Sequence, residues 1–276
     1  ALPSALLGGV FYHFLGFFTD RTAYRLLLTL AYGLGTIAFP YSGAYYGHQI
    51  TAVLLFVAFW LLFRLQQRGA AAGIRPTTLA AIGFLLGYSV ITEYPTVFAA
   101  GALFFYAAYF LKDKLKAGWM IVGGLPPVLG LMLYNTAIFG KPWEFSYKYS
   151  ELWVDYHHTG FFGTTLPSLR ALWGITFSPY RGLFFRSPFL LLAIPGFILC
   201  LRGYKRYRAA AITSLFVVTS MTLFNASSKM WFGGHSVGPR YLIPVLPFLA
   251  WPIVFYLRRF GDYVWDREGN ARGATE

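Results

Sequence analysis

The chain reads as an all-α, polytopic integral membrane protein of about nine transmembrane helices. Three observations carry that expectation. Of its 276 residues 57% are hydrophobic, only 12% are charged, and apolar runs recur along the whole length. Each run is roughly 17 to 22 residues, enough for a helix to cross about 30 Å of hydrocarbon. A water-soluble globule could not hide so much apolar surface.

In order, the runs cover 2–18, 22–39, 48–65, 77–92, 95–111, 117–138, 183–201, 207–224 and 240–258. The fourth and fifth are separated by Thr92-Glu93-Tyr94-Pro95, where Pro95 disfavours helix at Tyr94, so a tight turn or a kinked pair is expected. Gly83 and Gly87 stand four apart, a spacing that favours close helix packing. The transmembrane domain takes 1–260, with a long connection over 139–182, and leaves 261–276 as a polar tail. Within the connection, Thr165 is cap-like, Pro167 comes early, and positions 166, 169, 172 and 173 are apolar. This pattern predicts a short amphipathic helix lying on the membrane surface.

Charge orders the connections. The chain carries 23 Lys and Arg against 10 Asp and Glu, a formal net charge of +13. Alternating the nine runs puts every basic cluster of a short connection on one side, from Arg21 and Arg25 through Lys112, Lys114 and Lys116 to Arg258 and Arg259. By the positive-inside rule that side and the C-terminal tail are cytoplasmic. Seven cations, Lys141, Lys148, Arg170, Arg181, Arg186, Lys229 and Arg240, then fall outside, where topology does not call for them. Anionic headgroups account for much of the remaining excess; there is no basic tract or recognition motif for nucleic acid. The expected partners are therefore membrane lipids.

Several chemistries are excluded or weakened. The single Cys200 sits in an apolar run, so neither a disulfide framework nor a thiolate metal site is available. His157 and His158 beside Asp155 make a poor metal site, since adjacent histidines point apart and no third ligand stands at a recognisable spacing. No metal or cofactor is expected. His13 reads as a hydrogen-bonded core histidine rather than a tetrapyrrole ligand. The GxSxG, Walker A, GxGxxG and HExxH templates are absent.

The unusual composition lies in the outer connections. From Ser227 to Tyr241 a polar loop joins two apolar runs, with Gly233, Gly234 and Gly238 able to bring backbone close to a ligand. Lys229, His235 and Arg240 offer it donors for an anion, while Trp231 and Tyr241 also suit an interfacial aromatic belt. Arg181 and Arg186 form a second cationic pair, framed by Ser178-Pro179 and Ser187-Pro188; at the hydrocarbon boundary such charges snorkel or find an anion. Glu93 is either a catalytic carboxylate or a partner for an arginine, and Glu144, Glu151 and Asp155 are further candidate bases. His48 opens the third run on the same side.

Four of these stretches, taken in order, resemble a known family. They are Tyr41-Ser42 to Gly47-His48, Tyr134-Asn135 to Phe139-Gly140-Lys141-Pro142, Ser178-Pro179-Tyr180-Arg181-Gly182-Leu183 to Ser187-Pro188, and Trp231 through Gly233-Gly234-His235-Ser236 and Gly238-Pro239-Arg240-Tyr241 to Leu246-Pro247. Together they are similar to the bacterial family-39-like, protein-mannosyltransferase-type glycosyltransferases of the GT-C superfamily.

The resemblance implies a bacterial inner-membrane enzyme that moves a sugar from a polyprenyl-phosphate carrier to an acceptor on the outer face. Arg240, Lys229, Arg181 and Arg186 would hold the carrier phosphate, and Tyr180, Trp231, His235 and His48 would shape the sugar and lipid pocket. In that family the catalytic acid lies in the first outer loop, whereas no Asp or Glu precedes Asp20 here, leaving Glu93 and Asp155 as weak candidates. Ala1 opens without an initiator Met on an already apolar run, which reads as the middle of a longer protein. The alternative expectation is a non-catalytic GT-C-like subunit that joins other membrane proteins in a larger complex; a transporter fits less well, there being no pair of broken helices in matching halves.

Overall fold

The computed structural model describes residues 1–69, 73–144, 149 and 163–261. Among them all regular structure is helical, apart from an isolated antiparallel bridge between Thr164 and Ser228. We label the helices α1 (Leu2–Leu15), α2 (Thr22–Leu34), α3 (Ala38–Ser42), α4 (Gly47–Arg68), α5 (Pro76–Thr92), α6 (Val97–Phe110) and α7 (Gly118–Phe139). Then follow α8 (Leu169–Thr176), α9 (Leu183–Arg186), α10 (Ala193–Gly203), α11 (Arg208–Ser227), α12 (Leu246–Ala250) and α13 (Ile253–Gly261).

Each of the nine expected runs is helical, while the count of nine membrane spans is not shown. Three helices are long and apolar enough to cross a bilayer: Gly47–Arg68, Lys114–Phe139 and Lys205–Ser227. A fourth arises if Arg240–Ala250 and Ile253–Gly261, bent by 42°, are one span. Leu2–Leu15, Pro76–Thr92, Tyr94–Phe110 and Pro188–Gly203 are apolar but shorter. The interruptions have local causes. Gly35 ends α2, and Thr36 turns the chain by donating to the Tyr32 carbonyl at 2.7 Å and accepting from the Ala38 amide at 3.1 Å. Pro188 starts a 3-10 turn ahead of α10, and Pro244, Pro247 and Pro252, each lacking an N–H, divide the last segment. Between α5 and α6, Glu93 is extended and Tyr94–Thr96 is a single 3-10 turn, the tight-turn alternative.

The high aromatic content is used in the core. Phe11, Phe14, Phe56, Phe59, Phe63, Phe248, Trp251 and Phe255 are all buried, and Phe14 meets Phe18, Phe56, Phe59, Phe63 and Trp251 at 5.1 to 5.7 Å between ring centres. Such pairs contribute about 0.5–1.5 kcal/mol each beyond area burial. The Trp251 indole N–H donates to Ser214 Oγ at 3.0 Å, so the largest ring leaves no donor unmet. α1 supplies this core from one stripe, Leu7, Phe11, Phe14 and Leu15. His13 falls off that stripe and is exposed, which corrects its expected place in the core.

α5 and α7 meet along small residues. A Cβ on Gly83 would overlap the Met120 carbonyl, one on Gly123 the Ala80 carbonyl, and one on Gly87 would lie 2.6 Å from the Gly124 oxygen. Backbone touches backbone there, as the four-residue glycine spacing predicts.

The two ends of the bundle differ. At one end Tyr207 donates to the Phe17 carbonyl (3.0 Å), Arg258 to that of Phe18 (2.6 Å), Tyr106 to Gln66 (2.6 Å) and Arg206 to Gln67. About 33 Å away along α4, a 22-residue helix, the opposite end gathers the glycine-rich loop and its arginines.

Candidate functional site

The 163–168 segment is stitched to the end of α11 before the loop begins. The Thr165 amide donates to the Ser227 carbonyl at 2.7 Å, that of Ser168 to Ala226 at 3.2 Å, and that of Lys229 to Gly163 at 2.9 Å. This changes the expected helix start. Thr165 is spent on Ser227, and Ser168 caps α8 instead, accepting from the Ala171 amide at 3.1 Å. The predicted short helix forms as α8, with the apolar side chains of Leu169 and Trp173 exposed and Ala171, Gly174 and Ile175 buried.

Gly233, Gly234 and Gly238 hold φ of +73°, +64° and +64°, the left-handed region that side chains disfavour. Their turns wrap three guanidinium groups. Arg181 enters the loop, its Nη1 donating to Ser236 Oγ (3.0 Å) and its Nη2 to the Gly234 carbonyl (2.7 Å); it is 8% exposed. Arg186 donates to the Tyr180 carbonyl (3.1 Å) and lies against Gly238, where a Cβ would come within 3.2 Å of its Cδ. Arg240 passes Gly233 and lies over two rings, with Cζ 4.9 Å from the centre of Tyr46 and 5.1 Å from that of Tyr241. Its Nη2 donates to Tyr241 Oη at 3.3 Å. Among the described residues no carboxylate is within ion-pair reach of these three arginines.

A second group adjoins Arg240. His48, 4% exposed, stacks on Tyr46 (5.8 Å, 12°) and meets Tyr41 and Tyr241 edge-on. Its Nδ1 is 2.8 Å from Glu93 Oε1, a charge contact of hydrogen-bond length but not of hydrogen-bond alignment. Tyr41 ties this group to the loop by accepting the Val237 amide at 3.0 Å. Three of the four quoted stretches are thus joined. The Tyr134–Pro142 stretch closes on itself, with Asn135 Nδ2 donating to the Pro142 carbonyl at 3.3 Å.

The same end holds polar atoms that are buried yet make no hydrogen bond within the protein: His48 Nε2, Gln49 Oε1, Arg181 Nε, Ser187 Oγ, both polar atoms of the Asn225 amide, and Arg240 Nε. Leaving one such atom unmet costs about 1–3 kcal/mol, so each calls for a polar partner from outside the chain, ordered water included.

Of the residues read from the sequence, Arg181, Arg186, Arg240, His48 and Glu93 come together. Trp231 packs over Gly174, with Tyr180 edge-on at 6.4 Å, and forms the rim. His235 and Lys229 are exposed on the loop. Asp155, Glu151, Lys148, His157 and His158 lie outside the described residues. The sequence alone assigns no role to Tyr46, Asn225 or Ser236, the last of which lies within a quoted stretch; the alternation of Tyr46 and His48 about Gly47 is the available signal for the first.

Comparison of the chain with models of known protein families, with curated proteins and with solved structures gives no match.

Proposed function

We propose that this end of the bundle binds the phosphate of a lipid-linked sugar, and that the chain is a GT-C-type membrane glycosyltransferase using a polyprenyl-phosphate donor. The observation that carries the reading is the trio of arginines gathered by one glycine-rich loop, with no carboxylate in ion-pair reach among the described residues. A phosphate there gains charge-assisted bonds, and its polyprenyl tail stays among the apolar helices. Arg181 has both terminal nitrogens engaged within the loop and holds it in shape; Arg186 and Arg240 are the groups that meet the phosphate. Tyr180 and Trp231 stand at the rim where a sugar ring would stack. The arrangement of basic connections supports an orientation with this end on the outer face of a bacterial inner membrane.

The test is binding of polyprenyl phosphate to the purified full chain in nanodiscs, with neutral polyprenol as the control. Arg240→Gln and Arg186→Gln should each weaken binding roughly ten- to hundredfold, the equivalent of one charge-assisted bond at about 1.5–3 kcal/mol. Equal affinity for polyprenol, or unchanged binding in both variants, overturns the phosphate site.

A further inference from the structure

His48 and Glu93 come from different elements, and the fold brings them together with little room to spare. Gly47 precedes His48 at the start of α4; a Cβ there would lie 2.8 Å from Thr92 Cγ2 and 3.2 Å from Glu93 Oε1. Glycine at 47 is what lets α4 approach the α5–α6 turn until Nδ1 and the carboxylate are 2.8 Å apart. A carboxylate beside Nδ1 favours the tautomer with its proton on that nitrogen, which leaves Nε2 with a lone pair. Nε2 is buried and bonds to no protein group. The ring shares Tyr46 and Tyr241 with Arg240, which places the imidazole in the same aromatic cluster as the arginine assigned to the phosphate.

We infer that His48 Nε2 takes the proton of the acceptor hydroxyl during sugar transfer, with Glu93 as the positioning residue that orients the ring and stabilises the imidazolium. The inference rests on the lipid-phosphate reading above and deepens it. In the step, the acceptor oxygen forms a bond to the anomeric carbon while the bond from that carbon to the phosphate oxygen breaks. The bonding pair leaves with the phosphate, and the hydroxyl proton passes to Nε2 and later to water. The misaligned Glu93 contact does not oppose this role, since such bonds commonly tighten only when substrate is bound.

Removing a general base costs typically about 10²–10⁴-fold in rate, and an anionic acceptor that carries no proton needs no base. The experiment therefore measures polyprenyl phosphate released from polyprenyl-phosphate mannose, glucose and arabinose by the full chain, with methanol or azide as acceptor. His48→Gln should lose at least a hundredfold with methanol, retain transfer to azide within about fivefold, and still bind polyprenyl phosphate. Glu93→Gln, which keeps the shape and an accepting oxygen, should show a smaller loss with methanol and the same sparing of azide; it carries the test if His48→Gln fails to insert. Full methanol transfer in both variants overturns the proton role alone. Equal loss with both acceptors makes the pair structural and overturns it as well. A wild-type chain that binds polyprenyl phosphate but releases none from any of the three donors removes the transferase reading and this inference with it, while the phosphate site stands.

Discussion

Three arginines that look alike in the sequence have different duties in the structure. Arg181 is buried and donates twice to the loop, whereas Arg186 is exposed and donates once, to a carbonyl on its own side. Arg181→Met should therefore lower thermal stability, by about 2–3 kcal/mol, because it leaves the Gly234 carbonyl unmet and frees the glycine turns. Arg186→Met should leave stability within about 0.5 kcal/mol, as exposed substitutions do, while still weakening phosphate binding. Thermal unfolding of the two variants in the same detergent separates the roles; equal loss would show that both are structural. The sequence made all four cations look like phosphate partners, because composition reports which groups share a loop and not where their donors point. It also left Glu93 open between catalysis and pairing with an arginine. Its actual neighbour, His48, lies far away in the chain, and only the close approach at Gly47 brings the two together.

At the scale of elements, what the sequence makes legible is where helices run, and what it hides is where they stop. All nine apolar runs are helical, and the Gly83 and Gly87 spacing marks a real contact. The other half of that seam, Gly123 and Gly124 on α7, carries no comparable signature and emerges only from the pairing. In a bilayer such a seam matters more than apolar burial, since lipid tails are as apolar as the side chains and close packing drives association. Gly83→Val should push α5 from α7 and cost about 1–3 kcal/mol, as overpacking does. Gly130→Ala, on α7 with nothing within 4 Å of its Cβ position, should be neutral. Denaturation of the two variants in mixed micelles decides it: equal stability would show that the seam tolerates separation. Element ends were harder to read because they are set by tertiary pairing. Thr165 has the composition of a cap, but bonding to Ser227 takes it away and passes the cap to Ser168.

Across the whole molecule, the separation of two kinds of basic residue is the feature with the widest consequence. Arg206 and Arg258 sit at one end, bonded to side-chain and main-chain oxygens of neighbouring elements; Arg181, Arg186 and Arg240 sit at the other, around the loop. Among the described residues three to four helices are long and apolar enough to span, because turns break several of the apolar runs, yet the separation of charge between the two ends does not depend on each run being a full span. Tyr45 and Leu115 lie at opposite ends and are both strongly exposed, which makes them suitable markers. With the buried Cys200 replaced by serine, Tyr45→Cys should react with a membrane-impermeant maleimide in intact cells, and Leu115→Cys only after permeabilisation. The reverse pattern would put the arginine-lined end in the cytoplasm, and with it the phosphate of any bound carrier. The same labelling on both markers in intact cells would mean that the bundle does not separate its two ends across the membrane at all, and the positive-inside argument would lose its footing here.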